Sequence, residues 1–254
     1  MIRRFNRFEL KYIVPVAVRD ALIADIRQQM SVDTFGQDGV YNITSLYYDT
    51  EDLAAVRSKL DGIKYRRKVR VRAYGKLPEG PDDLVMVEIK QRINRTVQKR
   101  RLALPLRDAY ALCSGSLDLE RAWEDPADID VASEITFLSR AQHLRPTAVV
   151  GYQRRAFVGG RYEPLLRVTF DQAIWCRPPT QLLSPSEERH YMLPPEWMVL
   201  EVKTDHAIPS WVSRMLARHD VTLKRFSKYC AAALLLRERG LLQPGLTGEA
   251  PWTN

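Results

Sequence analysis

Charged side chains recur at every second position in one segment after another, and this alternation restricts the fold more than any other feature of the chain. Arg7-Phe8-Glu9-Leu10-Lys11 is the first case. Lys68-Val69-Arg70-Val71-Arg72, Glu88-Ile89-Lys90-Gln91-Arg92, Arg167-Val168-Thr169-Phe170-Asp171 and Glu201-Val202-Lys203 repeat it. On a β-strand, side chains two apart share a face and stand roughly 6.6 Å apart along it. The apolar residues between them (Phe8, Leu10, Val69, Val71, Ile89, Val168, Phe170, Val202) line the opposite face. Charged faces turned outward would give an antiparallel sandwich with wet outer surfaces. These faces, however, are nearly pure Arg, Lys and Glu, and the apolar faces need covering. A closed barrel with a charged interior and helices packed outside meets both demands, and is the expected architecture. An interior that mixes cations with carboxylates suits a highly charged anion and a metal.

The chain has 254 residues, 45% of them hydrophobic, enough to bury a substantial core. No linker divides it, so residues 1–240 are expected to form one domain, and 241–254, with Pro, Gly and Thr, a loose tail. Lys and Arg number 39 against 31 Asp and Glu, a formal charge of +8. That balance favours anionic partners: phosphorylated metabolites, polyanions, nucleic acid or a membrane surface. Cys113, Cys176 and Cys230 are isolated and form no CxxC pair, which fits a reducing compartment. The histidines are scattered, without the spacing of a zinc site. Met1-Ile2-Arg3-Arg4 leads straight into a strand without an apolar signal-peptide core. The longest apolar run, Cys230 to Leu236, is too short to span a bilayer. A cytoplasmic protein is expected.

Period-two alternation with β-branched and aromatic content predicts eight strands, near residues 5–13, 41–49, 64–74, 84–92, 95–104, 147–157, 164–172 and 197–204. Gly159-Gly160 predicts a hairpin between the sixth and seventh. Helical spacing appears over 16–30, in stretches of 107–143 broken by Pro126, and in two helices over 208–238. Asp49 is expected to be structural at a strand end. Asp171, read as closing its strand, is expected to serve a turn or salt bridge ahead of a metal.

Further segments complete a series: Tyr47-Tyr48-Asp49-Thr50, Arg72-Ala73-Tyr74-Gly75, Lys99-Arg100-Arg101, Tyr152-Gln153-Arg154, Leu200-Glu201-Val202-Lys203 and Phe226-Ser227-Lys228-Tyr229. In this order they resemble the triphosphate tunnel metalloenzyme superfamily, and within it the vacuolar transporter chaperone (VTC) polyphosphate polymerase domain. The resemblance implies an eight-stranded antiparallel tunnel whose basic lining grips the phosphates of a nucleoside triphosphate or polyphosphate. Acidic residues there would hold Mn²⁺ or Mg²⁺. Many hydrolytic members open with Glu-x-Glu-x-Lys; here Arg7 replaces the first acid, as in the polymerase branch. The implied phosphate ligands are Arg7, Lys11, Arg70, Arg72, Lys90, Arg154, Arg167, Lys203 and Lys228, with Lys99 chosen from its basic triplet. Lys11, Arg70, Arg72, Arg154 and Lys203 are the implied catalytic group. Glu201 is the implied chief metal ligand, with Glu9 and Glu88 secondary.

Phosphoryl transfer asks the protein mainly for alignment and for neutralisation of spread negative charge. Arginine grips two phosphate oxygens with a planar fork, and lysine adds a mobile point charge. A terminal phosphate acceptor is already anionic, whereas a hydrolase must activate water. The expected activity is therefore transfer of the ATP γ-phosphate to a growing polyphosphate chain. A tripolyphosphatase or nucleoside triphosphatase, and a non-catalytic polyphosphate or inositol-phosphate binding module, remain open alternatives. Nucleic acid is not expected as a partner; a separate membrane protein could draw the product away.

Overall fold

In the computed structural model, which describes residues 8–94, 96–120, 123, 125–179, 183, 185–205, 207–224 and 226–242, eight long strands run antiparallel in one continuous path. They are β1 (Phe8–Pro15), β3 (Val40–Asp49), β4 (Tyr65–Tyr74), β5 (Leu84–Ile93), β6 (Thr96–Pro105), β7 (Arg145–Gly159), β8 (Arg167–Arg177) and β10 (Trp197–Thr204). Two short strands, β2 (Met30–Val32) and β9 (His190–Tyr191), pair with β7 and β8. The path runs β1-β10-β8-β7-β3-β4-β5-β6. All eight strands expected from the alternation are present, and β7 and β8 are antiparallel neighbours joined across Gly159-Gly160.

Register carries the charge pattern from strand to strand. Lys11 stands opposite Glu201, and Glu201 opposite Thr169. Arg154 stands opposite Asp171, Arg70 opposite Glu88, and Lys68 and Lys99 opposite Lys90. Paired positions in a sheet share a face, so the alternating charges converge on one surface. The opposite surface is buried under helices. Over β4, β5 and β6, Val69, Val71, Val87, Ile89, Leu102 and Leu104 pack beneath α3 (Leu106–Ser114) and α4 (Pro126–Ala141). Over β1, β8 and β10, Tyr12, Val168, Phe170, Leu200 and Val202 pack beneath α1 (Arg19–Arg27) and α5 (Ser210–Arg218). Asp125 caps α4 by accepting from the Ala127 amide at 2.8 Å, with Pro126 in the first turn, where a missing N–H costs nothing.

Two features depart from the expected closed barrel with every helix outside. The path ends at β1 and β6, and among the described residues no ladder joins them. The sheet is instead a curled one, with the Glu9–Lys90 ion pair (2.7 Å) linking β1 to β5 through side chains. Residues 5–7 of the expected first strand lie outside the described residues, as does the tail from 243 onward. The second departure is α6 (Lys228–Glu238), which packs on the charged surface's own apolar end. There Ala148, Val150 and Val199, in phase with the charged positions, and Ile174, brought to the same face by the register shift at Ala173, meet Tyr229, Cys230, Ala233 and Leu236. The phase of Val199 with Glu201 and of Val150 with Arg154 makes this the same face. A further short helix, α2 (Ala54–Leu60), packs Val56 into this cluster.

Candidate functional site

The curl brings the alternating charges into two centres. The first is built on Glu201 of β10, only 3% exposed. Its carboxylate takes Lys11 from β1, Lys228 from the start of α6 and Lys203 from its own strand, each at 2.9 Å. Arg154 of β7 stands 3.5 Å away. Beside it is Asp171 of β8, wholly buried and gripped by the Arg154 fork at 2.6 and 2.7 Å. Lys228 donates to Asp171 at 2.5 Å and to Glu201 at 2.9 Å, so one ammonium bridges the two carboxylates. Tyr152 supports it from below, its ring centroid 4.7 Å from the Lys228 ammonium and 5.2 Å from the Arg154 guanidinium.

The second centre is built on Glu88 of β5, also wholly buried. Arg70 donates to it twice, at 2.7 and 2.5 Å, and Lys99 once at 2.9 Å, while Arg72 lies 3.7 Å away. The remaining guanidinium nitrogens are held by neutral oxygens. Arg70 donates to the Tyr47 hydroxyl at 2.8 Å, and Arg72 to the Ser45 hydroxyl at 2.9 Å. The Tyr74 hydroxyl reaches Glu88 at 3.4 Å. Between the centres, Lys90 donates to both Glu9 oxygens, at 3.0 and 2.7 Å. Arg167 stands apart at the edge, donating to Asp33 and, at 2.9 Å, to the Tyr41 hydroxyl.

The electrostatic consequence is a set of carboxylates that stay ionised and lysines that charge reluctantly. Burial alone would raise Glu201, but Lys11, Lys203, Lys228 and Arg154 hold it well below the usual carboxylate range. Glu88 is lowered in the same way by Arg70, Arg72 and Lys99, Glu9 by Lys90, Lys203 and Lys11, and Asp171 by Arg154 and Lys228. Burial pushes Lys203 down to about 7, despite Glu201 beside it. Burial also lowers Lys90 and Lys99. Lys228 goes the other way: Asp171 and Glu201 outweigh its burial and hold it charged.

Of the residues expected from the sequence, Lys11, Arg154, Lys203, Lys228 and Glu201 meet in the first centre, and Arg70, Arg72, Lys99 and Glu88 in the second. Lys90 and Glu9 pair between them, and Arg167 lies at the rim. Arg7 falls outside the described residues. Asp171 is a correction in one respect: β8 continues to Arg177, so it sits within the strand and inside the first centre rather than closing it. Its salt-bridge role matches the expectation. Tyr47, Tyr74 and Tyr152, absent from the expected site residues, hold or support the arginines. Their signal was their phase: Tyr47 stands opposite Arg70, and Tyr74 and Tyr152 lie two residues from Arg72 and Arg154.

The carboxylates that would hold a divalent metal here are Glu201 and Asp171, which already share the Lys228 ammonium. Magnesium and manganese accept one or two carboxylates when substrate phosphates supply the remaining oxygens, so these two fit. No group of three or more potential His, Cys, Asp or Glu ligands occurs among the described residues. Nor, among those residues, is any helix long and apolar enough to cross a membrane.

A search of the curated proteins finds no match. Among solved structures, a proposed adenylate cyclase of Bacillus halodurans aligns with 12% identity over 89% of this chain and 96% of its own, at a TM-score of 0.49. The PH1819 protein of Pyrococcus horikoshii aligns with 12% identity over 92% of this chain and 99% of its own, at 0.45. Likeness this distant carries no argument about activity. The family model of the VTC domain matches residues 6–237, nearly the whole chain and both charge centres. This chain belongs to the VTC domain family.

Proposed function

We propose that the chain is a metal-dependent polyphosphate polymerase, which transfers the γ-phosphate of ATP to the end of an inorganic polyphosphate chain and releases ADP. One observation carries this reading: the charge on the curled face does not balance. Among the described residues, Lys11, Lys90, Lys99, Lys203, Lys228, Arg70, Arg72 and Arg154 pair with four carboxylates, Glu9, Glu88, Asp171 and Glu201. Excess cations on a largely buried face cost free energy unless an anion joins them. A chain of phosphates supplies negative charge along its whole length, which rows of cations on neighbouring strands can neutralise. The reading includes a tunnel in which the curled sheet surrounds that chain.

In the transfer, a terminal oxygen of the polyphosphate attacks the γ-phosphorus, and the bond from the γ-phosphorus to the β,γ-bridging oxygen breaks, leaving ADP. The attacking oxygen is already anionic, so no general base is needed. This suits a site whose carboxylates are all held ionised and weakly basic by neighbouring cations. Arg70, Arg72 and Arg154 are fixed by buried carboxylates and tyrosine hydroxyls, so their donors are placed before the transition state forms. Lys11 and Lys203, more mobile, follow the charge as it moves to the leaving ADP. A divalent metal bound by Glu201 and Asp171 would neutralise phosphate charge and help align the reacting groups.

A second reading, hydrolysis of tripolyphosphate or a nucleoside triphosphate, is favoured by Lys203. An amine lowered to about 7 is partly neutral at physiological pH and could take a proton from water. The discriminating experiment incubates the purified protein with γ-labelled ATP and Mn²⁺ or Mg²⁺, with and without a short polyphosphate primer, and resolves the products on a gel. A metal-dependent ladder, lost in Glu201→Ala, is expected. Free phosphate alone would establish the hydrolase, and tight anion binding without turnover in either metal would leave a binding module.

A further inference from the structure

Beyond the phosphate lining, the rim of the curled face carries one exposed aromatic ring, Phe35, seated on two tyrosines, Tyr41 of the buried core and Tyr74 at its edge. Phe35, in the turn between β2 and β3, is 47% exposed and lies outside the three buried clusters. Its ring packs edgewise on Tyr41 (centroids 4.7 Å apart, 85° between planes) and on Tyr74 (5.8 Å, 77°). Those two tyrosines turn their hydroxyls towards the charges. Tyr41 accepts from Arg167 at 2.9 Å, and Tyr74 accepts from Arg72 at 3.4 Å. The group therefore forms a step from solvent to the phosphate-binding lining. It stands at the open end of β3: α6 stacks on Tyr47, while Tyr41 lies six residues away, roughly 20 Å along the strand.

The turn that presents Phe35 is held firmly. The Asp33 amide donates to the Ala156 carbonyl at 2.9 Å, and the Ala156 amide to the Gly39 carbonyl at 3.0 Å. Gly36 and Gly39 have φ of +78° and +66°, and a Cβ on either would stand 2.3 Å from the Val40 carbonyl oxygen or 2.8 Å from that of Ala156. Asp33 accepts from the Phe35 amide at 3.1 Å and also pairs with Arg167, tying the turn to the charged rim. An apolar ring held exposed on so constrained a turn, next to a phosphate-binding face, matches a ligand with a flat apolar part joined to a polyanionic one. Aromatic rings stack on nucleobases of any identity.

We infer that Phe35, backed by Tyr41 and Tyr74, is the stacking platform for the base of a nucleoside triphosphate whose phosphates enter the charged face. This rests on the proposed action on nucleoside triphosphates, and it makes Phe35 a residue that distinguishes nucleotide from bare polyphosphate. The test measures equilibrium binding of β,γ-imido ATP and of inorganic tripolyphosphate, by calorimetry, to the wild-type protein, Phe35→Ala and Phe35→Leu. Leucine keeps apolar packing on Tyr41 and Tyr74 but has no aromatic face. Both variants should bind the imido nucleotide about tenfold more weakly, with tripolyphosphate binding unchanged. Phe35→Trp should restore nucleotide affinity. Unchanged nucleotide binding in both variants, or equal loss for both ligands, would overturn the platform and leave the triphosphate reading standing. Failure of the wild-type protein to bind either ligand would instead sink the triphosphate reading, and the platform with it.

Discussion

At the scale of single residues, the site's behaviour turns on groups whose charge is costly. Lys203 attracts phosphate only when protonated, and in the free protein it titrates near 7. A bound polyanion favours the protonated form, so binding above neutrality must take up a proton. Affinity for tripolyphosphate should therefore fall as pH rises from about 6 to about 9. Calorimetry in buffers of different ionisation enthalpy counts that proton directly. Lys203→Arg, charged throughout, should flatten the profile and abolish the uptake; a wild-type profile that is already flat would remove Lys203 from the binding site. Glu88 makes the opposite case. Removing its charge leaves Arg70, Arg72 and Lys99 facing one another at a buried position, which should destabilise the fold by about 3–5 kcal/mol in Glu88→Gln. Tripolyphosphate should restore more stability to this variant than to the wild type, because it supplies the missing charge; thermal melts with and without it decide the point. The residue types and phase of these groups were legible in the sequence, because period two fixes a face. Their partners were not. Glu9 pairs with Lys90 and Glu88 with Arg70 and Lys99, rather than with the cations two residues away on their own strands. Strand pairing sets the partners of Glu88, whereas only the curl of the sheet brings Glu9 of β1 to Lys90 of β5.

At the scale of elements, α6 joins the site to the rest of the fold. Ser227 caps it, Lys228 enters the first centre, and Tyr229 stacks on Tyr47 with centroids 4.7 Å apart. The Tyr229 hydroxyl donates at 2.6 Å to Asp49, which also accepts from the amides of Thr50 and Ala55 at the entry to α2. One buried carboxylate thus locks α6, the end of β3 and α2 together. Tyr229→Phe removes a hydrogen bond to a charged group, a loss of about 1.5–3 kcal/mol. The melting temperature should drop by about 3–10 °C. An unchanged melt would mean the remaining amides satisfy Asp49 alone. Asp49 was legible as a structural strand end, and every long strand was legible from its alternation. The misses have local causes. β2 and β9 have three and two residues, too few for a period to show. α2 has seven, and its N-cap residue is Leu53 at φ +56°, which cannot cap; Thr50 and Asp49, further back in the chain, accept from its first amides. The inward position of α6 was hidden because its Ala- and Leu-rich face fits either surface of a sheet. The apolar ends of β7 and β10, in phase with their own charges, show which surface it covers, whereas that of β8 reaches the surface only through the register shift at Ala173.

For the molecule as a whole, the unjoined edges of the sheet and the excess of charge are one problem. Among the described residues, β1 and β6 end the sheet path without a ladder between them, although Glu9 and Lys90 already hold β1 close to β5. The face they border carries more cations than carboxylates, and like charges on a curled surface repel most strongly where the curl is tightest. Closing the sheet would gain backbone hydrogen bonds but bring Lys11, Lys90, Lys99 and Lys203 nearer together. A polyphosphate changes that balance, since each phosphate it brings attracts cations from both sides of the seam. The amides of β1 and β6 that face the seam should therefore exchange readily in the free protein and slow at saturating tripolyphosphate. Those of β3, β4 and β7, paired on both sides, should stay protected in either state. Hydrogen exchange read by mass spectrometry separates these strands. The effect should weaken in high salt, which screens an added polyanion more than it screens buried pairs. Seam amides already protected in the free protein would mean that the sheet closes without its ligand. Seam amides exposed in both states would mean that the phosphates are gripped by an open, curled sheet and never enclosed.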